Sequence, residues 1–91
     1  MIRVLIAEDQ AMVRGALASL LSLEGDIEVV AEVERGDEVL EVARSCAPDV
    51  ALLDIELPGR DGIALVADIR GELPATRTLI LTTFGRPGGA V

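Results

Sequence analysis

Short apolar runs alternate with amphipathic stretches along these 91 residues, and no feature of the chain limits its fold more than that rhythm. Val4-Leu5-Ile6-Ala7 and Val50-Ala51-Leu52-Leu53 are unbroken apolar runs bounded by charge, the pattern of strands covered on both faces. Ile27 to Val33 predicts another strand, with Ile27, Val29, Ala31 and Val33 on one face and Glu28 and Glu32 on the other; Val30 breaks the alternation. Thr78 to Thr83 predicts the last. Between them, Val13, Ala16, Leu17, Leu20 and Leu21 form one stripe of a helix from Gln10 to Leu23, with Gly25 as its stop. Gly36-Asp37 opens a second helix whose inward side is Val39, Leu40, Ala43, Cys46 and Ala47, and Pro48 ends it. A third runs to about Arg70 with Leu65, Val66 and Ile69 inward. Strands separated by helices pair in parallel through right-handed crossovers, so the expected fold class is α/β: a three-layer, doubly wound parallel sheet in one domain, residues 1–91.

Composition removes most chemistry from consideration. The chain has eight arginines but no lysine and no histidine, so lysine Schiff bases, the P-loop lysine, Ser-His-Asp catalysis and histidine metal sites are excluded. A net charge of −8 repels phosphate backbones, so these residues are not expected to grip nucleic acid. The lone Cys46 permits no internal disulfide, and on a helical stripe it reads as a small hydrophobe. No run approaches the ~18 apolar residues of a membrane helix, and Glu8 interrupts the N-terminus too early for a signal peptide. The expected setting is cytoplasmic, without a membrane partner.

Ligands of an open parallel sheet sit at the carboxyl ends of its strands, where strand order reverses. At those ends stand Glu8 and Asp9, Glu34 and Arg35, Asp54 and Glu56, and Thr82 and Thr83. If the first and third strands are neighbours, Asp9 and Asp54 converge with Glu8 beside them. Packed carboxylates without a basic partner call for a cation, and hard oxygen ligands suit Mg²⁺ or Mn²⁺. A carboxylate beside such an ion can attack phosphorus, and the Thr82 hydroxyl could donate to a phosphoryl oxygen. The bland alternatives are a helix start capped by Glu8-Asp9, a turn built on Pro58, Gly59 and Gly62, and Thr82 and Thr83 as ordinary strand formers.

Taken in order, Ile6-Ala7-Glu8-Asp9-Gln10, Leu52-Leu53-Asp54-Ile55-Glu56-Leu57-Pro58-Gly59-Arg60-Asp61-Gly62 and Leu79-Ile80-Leu81-Thr82-Thr83 resemble the receiver domain of two-component response regulators. Within it they look like the NarL/FixJ subgroup, whose members carry a LuxR-type helix-turn-helix; the run Leu81 to Gly88 is similar to regulators of fatty-acid desaturation. The resemblance implies a flavodoxin-like, CheY-like strand order 2-1-3-4. It implies Asp54 as phosphoacceptor, Asp9 as a direct Mg²⁺ ligand, Glu8 acting through water, and Glu56 contributing its backbone carbonyl. Thr82 takes the switch hydroxyl position and Thr83 the adjacent one. It further implies a sensor histidine kinase as partner, DNA contact only through an absent output domain, and a signalling module, not an enzyme. The family continues with a fourth helix, a fifth strand ending in a lysine that pairs with the phosphoryl group, and a fifth helix. The expectation here is a truncated receiver lacking these, with no catalytic lysine, whose exposed fourth strand or exchanged elements make a homo-oligomer. Competing readings are a phosphorylation-independent interaction module and a haloacid-dehalogenase-like phosphatase, which wants an Asp where Glu56 stands. A dinucleotide site lacks its Gly-x-Gly-x-x-Gly.

Overall fold

A computed structural model describes residues 1–81. The chain runs β1 (Ile2–Ala7), α1 (Ala11–Ser22), β2 (Ile27–Val33), a single 3₁₀ turn (Gly36–Glu38), α2 (Val39–Cys46), β3 (Val50–Asp54), α3 (Gly62–Glu72) and β4 (Arg77–Leu81). All strands pair in parallel in the order β2-β1-β3-β4. The α/β alternation and the strand order expected from the sequence are both present. Thr82 and Thr83 lie outside the described residues.

β1 is central, and Val4, Leu5, Ile6 and Ala7 are all buried, as an unbroken apolar run requires of a strand covered on both sides. Leu5 and Ala7 of β1 and Ala51 and Leu53 of β3 share a core with Val39 and Ala43 of α2 and Leu65 and Ile69 of α3. α1 lies on the opposite face. Its Arg14 reaches Glu32 (3.7 Å), which stands beside Ile6 in the sheet. The stripe assigned to α1 seats loosely: Val13, Leu17 and Leu21 are half-buried, Leu20 is 63% exposed, and no residue of the helix is fully buried.

The sequence expectation fails in three places. Val4 pairs with Val29 but Leu5 pairs with Ala31, so Val30 is the extra residue of a bulge. A one-residue slip exchanges the faces of a strand. Ile27 and Val29 therefore lie beside Ile2 and Val4, while Ala31 and Val33 join the α2–α3 core; the four do not share a face. Second, α1 reaches Leu23 as expected, but its end is made by the Leu23 N–H, which donates to Leu20 and Leu21, and not by Gly25. Third, Ala47 is not on the inward side of α2. It is exposed at φ 46°, ψ 63°, the left-handed turn that ends the helix before Pro48.

The floor of the sheet is clasped by polar contacts. The Arg3 guanidinium donates to the Cys46 and Ala47 carbonyls at the negative end of α2, while its N–H donates to Asp49 Oδ2 at 2.8 Å. The buried Thr76 hydroxyl donates to the Pro48 carbonyl at 2.7 Å.

Gly15 sits in the middle of α1, its φ is not positive, and a β-carbon there would meet nothing within 4 Å. Because α1 is held weakly by packing, its backbone preference counts. Gly15→Ala is expected to stabilise the chain by about 0.5–1 kcal/mol, read as a rise of several degrees in thermal midpoint; an unchanged or lower midpoint contradicts this.

Candidate metal and phosphoryl site

The strand order reverses between β1 and β3, and both strands end in acid there. Glu8 follows the last residue of β1, its N–H donating to the Val33 carbonyl at 2.9 Å. Asp54 is the last residue of β3, opposite Leu81 of β4. Glu8 and Asp54 are fully buried and Asp9 is half-buried. One carboxylate oxygen from each of Glu8, Asp9 and Asp54 lies within 4.8 Å of the other two. The convergence expected of these three residues is therefore present.

Backbone N–H groups hold the Asp54 and Glu8 carboxylates. The Glu56 N–H donates to Asp54 Oδ1 at 3.1 Å, closing a local turn that fixes the rotation of the Asp54 side chain. The Gln10 N–H donates to Glu8 Oε2 at 3.3 Å, so Glu8 also serves the start of α1, where Gln10 caps with no side-chain bond. The Glu56 side chain is exposed.

Electrostatics show the effect of gathering these acids. Burial pushes the Glu8 carboxyl from 4.5 up to about 7, reinforced by hydrogen bonds with Asp54 and Asp9; the Gln10 N–H opposes the shift. Carboxylates that share a proton in this way are held close against their repulsion. A divalent cation replaces such a proton well, since oxygen donors at this spacing suit a hard ion such as Mg²⁺. The donor set fits that ion.

Arg14 lies on α1, close to the acidic pair. It donates from Nη1 to the Glu8 carbonyl at 2.7 Å, tying α1 to the strand end that carries the acidic pair. Arg60 pairs with Asp68 on α3. Two contributors were not singled out as parts of the site: Arg14, whose helical position gave no hint of a backbone carbonyl, and Gly36, read only as a helix start. The Gly36 N–H donates to the Pro58 carbonyl at 2.8 Å, bridging the loops after β2 and β3.

Residues 4–90 match the family model described as response regulator receiver domain. The uncharacterized transcriptional regulatory protein YvfU of Bacillus subtilis is 44% identical over 88 residues, covering 97% of this chain and 44% of that protein. The transcriptional regulatory protein DesR of the same organism is 43% identical, covering 97% of this chain and 43% of its own length. A crystal structure of a DNA-binding response regulator of the LuxR family from Staphylococcus aureus superimposes with a TM-score of 0.85 at 39% identity, over 97% of this chain and 73% of that one. The chain thus spans less than half the length of these two curated relatives. Sequence match, strand order and the acidic cluster at the switch point agree: the chain belongs to the response regulator receiver domain family.

Proposed function

We propose that this receiver takes a phosphoryl group on Asp54 from a sensor histidine kinase, with Mg²⁺ (or Mn²⁺) held by Asp9, Asp54 and the Glu56 backbone carbonyl and with Glu8 acting through water. The observation that carries the reading is the gathering of Glu8, Asp9 and Asp54 within 4.8 Å at the ends of adjacent parallel strands. When bound, the cation neutralises the carboxylates and the incoming phosphoryl oxygens. An Asp54 carboxylate oxygen forms the new bond to phosphorus while the bond from phosphorus to the kinase imidazole breaks, its electron pair returning to that nitrogen. The Glu56 N–H holds Asp54 in one rotation during the attack. Thr82 and Thr83 follow β4 directly in sequence and are assigned to the phosphoryl oxygens, through the Thr82 hydroxyl and the Thr83 N–H.

The names of the relatives carry the reading further. Two are transcriptional regulatory proteins and one solved neighbour is a DNA-binding response regulator. We assign the whole protein to transcriptional control in the cytoplasm, with DNA gripped by a helix-turn-helix domain outside these residues, whose own charge of −8 disfavours that contact. Among the described residues no helix is long and apolar enough to cross a membrane.

With acetyl phosphate and Mg²⁺, intact-mass analysis is expected to show an adduct of about 80 Da that Asp54→Asn abolishes. The second reading is a phosphorylation-independent interaction module. An unmodified mass supports that reading and overturns the first.

The acidic site also sets a pH dependence. Glu8 has a folded-state value raised to about 7 from 4.5, so without metal its contribution to stability is full below about 4.5 and is lost as pH rises through 7. Denaturation in metal-free buffer is expected to show wild type losing on the order of 2–3 kcal/mol across that window, and Glu8→Gln losing much less. Mg²⁺ is expected to stabilise wild type more at pH 8 than at pH 5, because the proton must leave before the ion binds.

β4 is one of the two sheet edges among the described residues, with Leu79 57% and Ile80 37% exposed. An exposed apolar edge is a template for pairing, and we assign self-association to it. Sedimentation is expected to show dimers or larger species that Leu79→Lys reduces; a monodisperse wild-type monomer contradicts this.

A further inference from the structure

The loop after β3 carries Glu56 and is fastened along its length. At one end the Ile55 N–H donates to the Leu81 carbonyl at 3.1 Å, and the Gly62 N–H returns to the Ile55 carbonyl at 3.3 Å. Leu57 is buried in the core, and the Arg60 side chain pairs with Asp68 of α3. The outer part of the loop is seated against the turn after β2. There Gly36 is buried, and its N–H donates to the Pro58 carbonyl at 2.8 Å. A β-carbon on Gly36 would stand 1.7 Å from the Arg60 carbonyl oxygen and 2.6 Å from the carbonyl carbon. Both are main-chain atoms that no rotamer change moves. Reaching even the 3.0 Å that real contacts keep requires the two backbones to part by more than an ångström.

The contact is tight from the other side as well. Gly59 adopts φ 85°, and a β-carbon there would come within 2.7 Å of Asp37 Oδ1 and 3.0 Å of Arg35 Nη2, which are paired with each other. Pro58 lies two residues from Glu56, whose N–H orients Asp54. A shift of Pro58–Arg60 is therefore passed along the main chain to the group that aims the acceptor.

We propose that Gly36, with no atom in the acidic cluster, is a positioning residue for it: by admitting the Arg60 backbone it sets where the Glu56 main chain stands beside Asp54, and so sets the affinity for a divalent cation. The inference rests on the cation-dependent phosphoacceptor reading above.

The test is Mn²⁺ titration of the 91-residue chain, followed by electron paramagnetic resonance, with circular dichroism confirming the folded state. Gly36→Ala is expected to bind Mn²⁺ about tenfold or more weakly, the range seen when groups supporting metal ligands are lost. Gly71→Ala, whose β-carbon meets nothing within 4 Å, is expected to bind as wild type does. A purely structural role for Gly36 lowers the thermal midpoint but leaves the affinity of the folded protein unchanged, and that result overturns the proposal. Should Gly36→Ala not fold, Gly59→Ala decides, because at φ 85° a β-carbon strains the loop backbone itself, while the atoms it meets are side-chain ends that can swing aside and let the chain fold. A smaller but clear loss of affinity supports the proposal, and wild-type affinity refutes it. A wild-type chain that binds no Mn²⁺ overturns the phosphoacceptor reading and this inference together, whereas equal binding by wild type and folded Gly36→Ala overturns the inference alone.

Discussion

Mutual repulsion among three carboxylates is the constraint around which this structure is arranged. Glu8 and Asp54 have no exposure to water, and Asp9 stands half-buried beside them. Side chains of like charge do not gather in a small protein unless the backbone forces them together. Here the forcing comes from β1 and β3, which run side by side and end at the same level, Ala7 beside Leu53. The acids that follow Ala7 and Leu53 have little freedom to part. Burial, reinforced by hydrogen bonds with Asp54 and Asp9, raises the Glu8 carboxyl to about 7, and a divalent ion is the natural replacement for its proton.

The framework of this arrangement was legible from sequence because it rests on periodicity. Unbroken apolar runs gave β1 and β3, and the acids that follow them gave the site. What periodicity missed has a common origin in single-residue backbone geometry. Val30 disturbed the alternation visibly, yet nothing local distinguishes a doubly buried position from a bulge; only the pairing of Leu5 with Ala31 does so. Ala47 satisfied the helical stripe of α2 but took the left-handed conformation, in a position usually given to glycine. Gly36 is the extreme case. Its neighbour in space, Arg60, is 24 positions away in sequence, and the closeness of the two backbones leaves no trace in either segment.

The two ends of the sheet divide labour. At the amino end, contacts are matched: Arg3 meets the carbonyls that close α2, Asp49 receives the Arg3 N–H, and the Thr76 hydroxyl finds Pro48. At the carboxyl end, like charges are crowded and loops are pressed together at glycines. A domain of this size tolerates such crowding at one pole because the opposite pole and the α2–α3 core are well satisfied.

α1 gives the molecule an asymmetry of motion. It begins two residues after Asp9, is tied to Glu8 through Arg14, and buries none of its side chains completely. Elements with few buried contacts open first, at a fraction of the energy that unfolds the core. One wall of the acidic pocket thus hangs from a helix with no fully buried side chain, while the wall carrying Asp54 is rooted in β3, whose Ala51 and Leu53 are fully buried. Filling the pocket draws these two together, so the amide protons of α1, far more than those of β3, would register whether anything is bound.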